Sequence, residues 1–186
     1  MAFTDRSLPA REAILHAARA RFGAEGYDRA TVRAIAADAG IDPSMVMRYF
    51  GSKRQLFAVA AEFDLRLPDL AGTPREEVGH VLATHLLARW EEDDDGLKIL
   101  LRTAVTDDEA ASRMRTIFVE QLTPVIAALA DDPAAASTRA GLVSSQALGV
   151  ALTRYVLRLP PIVTMTPAEL VEWIAPTLQR YLVGSR

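Results

Sequence analysis

The sequence contains no cysteine. That excludes a disulfide framework, thiolate zinc sites, iron–sulfur clusters and cysteine nucleophiles, and it fits a reducing compartment. Long apolar runs are missing too. The longest charge-free stretch toward the C-terminal half, Ala140 to Thr153, is bounded by Arg139 and Arg154 and includes Ser144, Ser145 and Gln146. It is too short to span a bilayer. Residues 1–11 have no apolar signal core and carry Asp5, Arg6 and Arg11, unlike a secretory leader. The expectation is a soluble, cytoplasmic chain with no membrane contact. Histidine is scarce: His16, His80 and His85 are the only three. His80 and His85 are five apart and face different sides of a helix, whereas a helical metal pair needs a spacing of three or four. No nucleophile elbow, glycine-rich phosphate loop or pair of carboxylates in an apolar setting is found. The residues therefore point to no enzyme, no cofactor and no metal. The acidic run Glu91–Asp95 lacks the alternating ligand spacing of a calcium loop and reads as a solvated loop.

What is present is a chain of 186 residues, half apolar and about a quarter charged, enough to fold around a substantial core as one large domain or two small ones. The net charge of −3 is unevenly spread. Residues 1–54 hold nine Lys/Arg against six Asp/Glu, and the remainder twelve against eighteen. A basic head on an acidic body suggests an acidic partner for the head.

Sustained period-two alternation is absent and alanine is abundant, so the fold is expected to be all-α. Capping boxes at Ser52–Gln55, Thr73–Glu76, Thr106–Glu109 and Thr166–Glu169 mark helix starts, because the hydroxyl accepts from the N3 amide while the N3 side chain reaches back. Pro74 and Pro167 fit the first helical position, as do the pairs Asp42-Pro43 and Asp132-Pro133. About nine helices follow: 8–25, 32–39, 43–50, 53–67, 74–91, 96–105, 107–130, 133–158 and 167–183. Pro68 and Pro160-Pro161 are expected to end helices, and Pro124 and Pro176 to kink or split them. The domain division is placed at 1–52 and 53–186.

The first three helices carry the functional signal. Ile14, Leu15, Ala18 and Phe22 form one apolar stripe, and Gly26 is the expected stop. Thr31 caps a short helix with Val32, Ile35 and Ala36 inward; Asp42 caps another with Val46 and Phe50 inward. Two short helices joined by a glycine-containing turn make a helix-turn-helix. Ala36 permits a close crossing, Gly40 supplies the left-handed turn residue, and Val46 faces back to the crossing. Ser44, Met45, Met47, Arg48 and Tyr49 are then available to DNA. Arg48 suits guanine or phosphate, Ser44 either a phosphate or a base, Met45 a thymine methyl, and the Tyr49 hydroxyl a phosphate. Lys53 stands in the first turn of the helix capped by Ser52, where the helix dipole disfavours a cation and a phosphate would be held by ammonium and amides together. Two other readings stay open on these residues: a protein-interaction adaptor, which Met45 and Met47 fit in part, and a helical enzyme, for which nothing argues.

The run from Ala30 to Ile41, then Arg48-Tyr49-Phe50-Gly51-Ser52-Lys53 and Leu56-Phe57, with Ile14 to Ala18, Phe22 and Gly26-Tyr27 before it, resembles the N-terminal domain of tetracycline-repressor-like (TetR family) regulators. Leu97 to Tyr181 resembles the family's C-terminal domain. The resemblance implies a DNA-binding head and a helical regulatory body, acting as a homodimer on palindromic double-stranded DNA, with release by a small, largely apolar effector. It supports DNA contacts at Thr31, Arg33, Ser44, Met45, Arg48, Tyr49 and Lys53; at Met47 many members carry an aromatic instead. The effector pocket is expected among Phe63, Leu67, Leu86, Trp90, Leu101, Met114, Ile117, Phe118, Leu122 and Gln146. The dimer interface is expected at Gly141, Ser144, Leu148, Gly149 and Leu152, together with Leu170, Trp173, Ile174 and Tyr181.

Overall fold

The computed structural model describes residues 8–92, 96–129 and 132–184. Its elements are α1 (Leu8–Arg29), α2 (Val32–Asp38), α3 (Pro43–Phe50), α4 (Lys53–Ala60), α5 (Val78–Glu91), α6 (Gly96–Thr103), α7 (Asp108–Ile117), α8 (Thr123–Leu129), α9 (Ala136–Ala151), α10 (Pro160–Val163) and α11 (Pro167–Val183). No strand occurs among the described residues. A π turn, Phe118–Leu122, makes α7 and α8 one continuous helix, and a second, Leu152–Val156, extends α9. The nine expected helices are all present, with α10 in addition.

The described residues cluster into two compact units. One comprises Met1–Phe63 with Asp94–Asp107, the other Asp64–Asp93 with Asp108–Arg186. The first unit thus runs past residue 52 and takes in α4 and α6. The reason is burial: Leu56, Phe57 and Ala60 of α4 and Ile99 and Leu100 of α6 are core residues of the chain, and both helices pack on α1.

The first unit is built around Phe22. Its ring meets Phe57 edge-on at 5.2 Å and Tyr27 at 6.1 Å. Ile14, Ala18, Ile35, Ala36 and Val46 are buried in the same unit. Gly26 takes φ 80°, ψ 170°, so the regular part of α1 stops where expected. Gly40, at φ 66°, ends α2 in a Schellman motif: its N–H reaches the Ala37 carbonyl at 3.1 Å, and the Ile41 N–H reaches that of Ala36 at 2.9 Å, leaving α2 and α3 joined by a short turn.

Arg21 ties α1 to α2 through an ion pair with Asp38. Hydrogen bonding to Arg21 is the main cause that holds the Asp38 carboxyl below its ordinary value. A carboxyl held low in the folded state stabilises it above the unfolded value, about 3.9, and that contribution vanishes as pH falls through the folded value. Asp38→Asn is therefore expected to be less stable than the parent at pH 7 and to converge on it only once pH has dropped below the folded value, well under about 3.9. Urea melts at both pH values test this; a constant gap would mean the ion pair is energetically silent.

Two helix boundaries depart from expectation. Helix α4 ends at Ala60 rather than near 67. Residues 62–69 run without regular structure, because distant partners satisfy their backbone. The Leu65 N–H donates to Gln121 Oε1 (2.8 Å), the Leu65 carbonyl meets His85 Nε2 (2.8 Å), and Arg89 Nε donates to the Asp64 carbonyl (2.9 Å). Helix α5 begins at Val78, four residues later than expected. Thr73 donates its hydroxyl to the Asp69 carbonyl (3.2 Å) within a turn held by the Asp69 side chain.

The prolines act locally. Pro124 follows the π turn, in which the Thr123 N–H bonds back five residues to Phe118; the wider turn accommodates the missing N–H. Pro160 and Pro161 do not merely end a helix but open α10. Helix α11 runs unbroken through Pro176 and starts on a complete capping box between Thr166 and Glu169. Among the described residues no helix is long and apolar enough to cross a membrane. Asp93–Asp95, most of the acidic run, lie outside the described residues; Glu91 and Glu92 are exposed.

Candidate nucleic-acid interface

Helix α3 is amphipathic over only eight residues. Asp42 caps it, accepting from the Ser44 N–H (2.8 Å) and hydroxyl (2.6 Å); these bonds hold the Asp42 carboxyl below its ordinary value. Val46 and Phe50 are buried, and the Arg11 guanidinium lies 5.2 Å from the Phe50 ring centre. That orientation leaves Ser44, Met47 and Arg48 exposed and Met45 and Tyr49 half-buried at the flanks. Arg48 and Arg33 have no side-chain partner among the described residues. Met47, with 45% of its surface exposed, stands beside Arg48 on the solvent face.

The flanking candidates come from neighbouring caps. Thr31 caps α2, accepting from the Ala34 N–H at 3.1 Å, and Arg33 is exposed in the first turn of α2. Ser52 caps α4, accepting from the Gln55 N–H at 3.1 Å. Lys53 follows directly. Its ammonium sits 4.4 Å from the Tyr27 ring centre and 3.4 Å from the Asp28 carbonyl. Tyr27 thus holds the Lys53 ammonium by a cation–π contact. Sequence reading missed this support, since the two residues are far apart along the chain and only folding joins them.

An exposed helix face carrying the guanidinium of Arg48, flanked by Arg33 at the start of α2 and Lys53 at the start of α4, is the arrangement that enters a DNA groove. Known proteins agree. The model of bacterial regulatory proteins of the tetR family matches residues 14–60, and that of the tetracyclin repressor-like C-terminal domain matches 76–182. The chain belongs to the TetR family. This TetR-family regulator is 31% identical over 136 residues to the HTH-type transcriptional dual regulator CecR of Shigella flexneri. That match covers 68% of this chain but 57% of CecR, so the chain spans little more than half of that relative. In fold it is similar to a TetR-family regulator from Streptomyces coelicolor (TM-score 0.65, 23% identity, 98% of this chain and 99% of that one). It is also similar to NalD of Pseudomonas aeruginosa, the secondary repressor of the MexAB-OprM multidrug efflux pump (TM-score 0.70, 22% identity, 98% and 100%). The family is one of transcriptional regulators, not enzymes.

The other candidate residues of this TetR-family chain are distributed as follows. Of the expected pocket residues, Phe63 and Leu101 belong to the first unit. In the second unit Leu86, Trp90, Met114, Ile117 and Leu122 are buried, while Leu67, Phe118 and Gln146 are half-buried. The Trp90 ring meets Tyr155 edge-on at 6.2 Å. A cleft of about 720 Å³ does open in the second unit, between α5 and the start of α11, but none of the expected residues lines it.

The expected interface residues split into two sets. Gly141, Gly149 and Trp173 are exposed and Ser144, Leu148, Leu152 and Tyr181 half-buried. Leu170 and Ile174, by contrast, are buried within the chain's own body, at 2% and 7% exposure. Helix α9, expected to be covered on most sides, buries only Ala136, Ala140, Val143, Ala147, Val150 and Ala151 and leaves the opposite face open.

Proposed function

We propose that this TetR-family protein is a repressor that binds a palindromic operator as a homodimer and is released by a small, largely apolar effector. The observation that carries the reading is the orientation of α3, which turns Ser44, Met47 and Arg48 to solvent while Val46 and Phe50 anchor the helix. A two-fold dimer would set two such helices about 34–36 Å apart, matching successive major grooves.

Selecting bound sequences from a random duplex pool tests this. A palindrome is expected, with affinity falling steeply as salt rises. Arg48→Ala is expected to cost about 1–3 kcal/mol of operator affinity and to relax specificity at one base pair. Competition binding on the selected duplex and its single-base variants reads both. Unchanged affinity in a folded Arg48→Ala variant would remove α3 as the recognition helix.

Dimerisation is supported by the open face of α9. An added Cβ at Gly141 or Gly149 would meet nothing within 4 Å inside the chain, which leaves room for close approach of a second helix, and Trp173 is 75% exposed. Gly149→Leu is therefore expected to keep the helix content of the parent and to sediment as a monomer. A dimer of undiminished stability would place the interface elsewhere.

A further inference from the structure

The cleft between α5 and α11 has a chemistry of its own. The two helices run antiparallel: Gly79 lies against Ala175 and Gln179, whereas the cleft brings the Glu91 end of α5 to Pro167 and Ala168. On α5 the lining residues His80, Thr84, Leu87 and Glu91 recur at helical spacing, a stripe about 16 Å long at 1.5 Å per residue. Leu87 and Val171, both nearly fully buried, form an apolar floor. Ala88 and Ala168 keep the walls low. The volume, about 720 Å³, is that of a small-molecule site.

The charges at this cleft are of one sign. Glu91, Glu92 and Glu172 line it, and no lysine or arginine does. Glu91 is already engaged, accepting from the Tyr155 hydroxyl at 2.9 Å and lying 3.4 Å from Arg154 Nη2. Burial first, and then the Glu91 bond, push the Tyr155 hydroxyl up to about 12, so Tyr155 stays a donor to Glu91. Glu92 and Glu172 are exposed and have no ion-pair partner among the described residues. An anion would meet three carboxylates here, against one imidazole, His80, and the Thr84 hydroxyl. A metal ion would need a compact set of ligands, and among the described residues no three acidic or histidine groups converge.

We propose that this cleft binds an organic monocation with a bulky apolar body. The body packs on Leu87 and Val171, and the charge faces Glu92 and Glu172. The occupant's chemistry follows from charge complementarity with an apolar floor, since neither feature alone would select it. The site is independent of the operator reading.

The test is calorimetric titration of the full chain, without DNA, by tetraphenylphosphonium and by tetraphenylborate, which share shape and oppose in charge. The phosphonium is expected to bind once per chain, more weakly at raised salt, and the borate not to bind. The double variant Glu92→Gln with Glu172→Gln is expected to weaken phosphonium binding about tenfold, the sum expected of two exposed ion pairs. Ala88→Trp, which fills the cleft, is expected to abolish it while circular dichroism shows the parent's helix content. Equal binding of both ions, full affinity in the double variant, or binding that survives a folded Ala88→Trp would each overturn the proposal. So would failure of the dimer to bind the phosphonium at all, the result expected of a cleft covered by the second copy.

Discussion

Phe22→Ala is expected to cost about 3–5 kcal/mol of the first unit's stability. Phe22 is fully buried, and its ring contacts Phe57 edge-on and lies near Tyr27. Truncation removes the transfer free energy of the ring and opens a cavity between α1 and α4. Helices α1 and α4 are held there by their own backbone hydrogen bonds, so collapse into the cavity is incomplete. Because natural domains carry only about 5–15 kcal/mol in total, this one change consumes a large part of the margin. Sequence-specific DNA binding should fail at a temperature at which most helical signal persists, since α9 and α11 lie in the second unit. Thermal melts followed by circular dichroism and by operator binding in parallel measure both. A loss below about 1 kcal/mol would show that the aromatic cluster is not the core of the head.

Gly79→Val is expected to have its effect in the other unit. A Cβ built on Gly79 would stand 2.5 Å from the Gln179 backbone nitrogen, 2.6 Å from its Cβ and 2.7 Å from the Ala175 carbonyl oxygen. These are backbone or near-backbone atoms of α11 and cannot rotate away. Relief requires α5 and α11 to separate. Separation also breaks the bond from the Gly79 N–H to Gln179 Oε1, now 2.7 Å, and strains the reciprocal bond from Gln179 Nε2 to the Arg75 carbonyl. Overpacking commonly costs about 1–3 kcal/mol, and the upper end or beyond applies here. Gly149→Ala is the control, because its Cβ would meet nothing within 4 Å; alanine's better helix propensity should leave the isolated chain unchanged or slightly more stable. Urea unfolding of the two variants distinguishes them. Equal stabilities would mean that α5 and α11 are not in tight contact at Gly79.

Much of the head was legible before any fold was known. Thr31, Asp42 and Ser52 each cap a helix through an amide two or three residues ahead, and the Ala36–Gly40–Val46 spacing encodes a steep crossing. The body was less legible. The apolar residues Leu170, Trp173 and Ile174 look alike in sequence, yet only Trp173 is exposed. A helix with apolar residues around most of its circumference does not declare which side meets its own chain. Likewise the expected end of α4 near Pro68 relied on the breaker alone, whereas partners on α5 and in the π turn draw the chain out of helix at Ala61.

The sequence by itself thus determined the all-α class, the capped starts of α2, α3, α4 and α11, the helix-turn-helix and the face of α3 that meets solvent. Those features arise from caps, breakers and periodicity that act over three or four residues. Tertiary structure alone decided that Lys53 rests on Tyr27, that Leu65 is held by Gln121 and His85, that α5 and α11 touch at Gly79, and that a carboxylate-lined cleft opens beyond that contact. Each of these joins residues 20 or more positions apart. Which distant groups meet depends on how whole helices pack, and packing is settled by the shape of the assembled core rather than by any local run of residues.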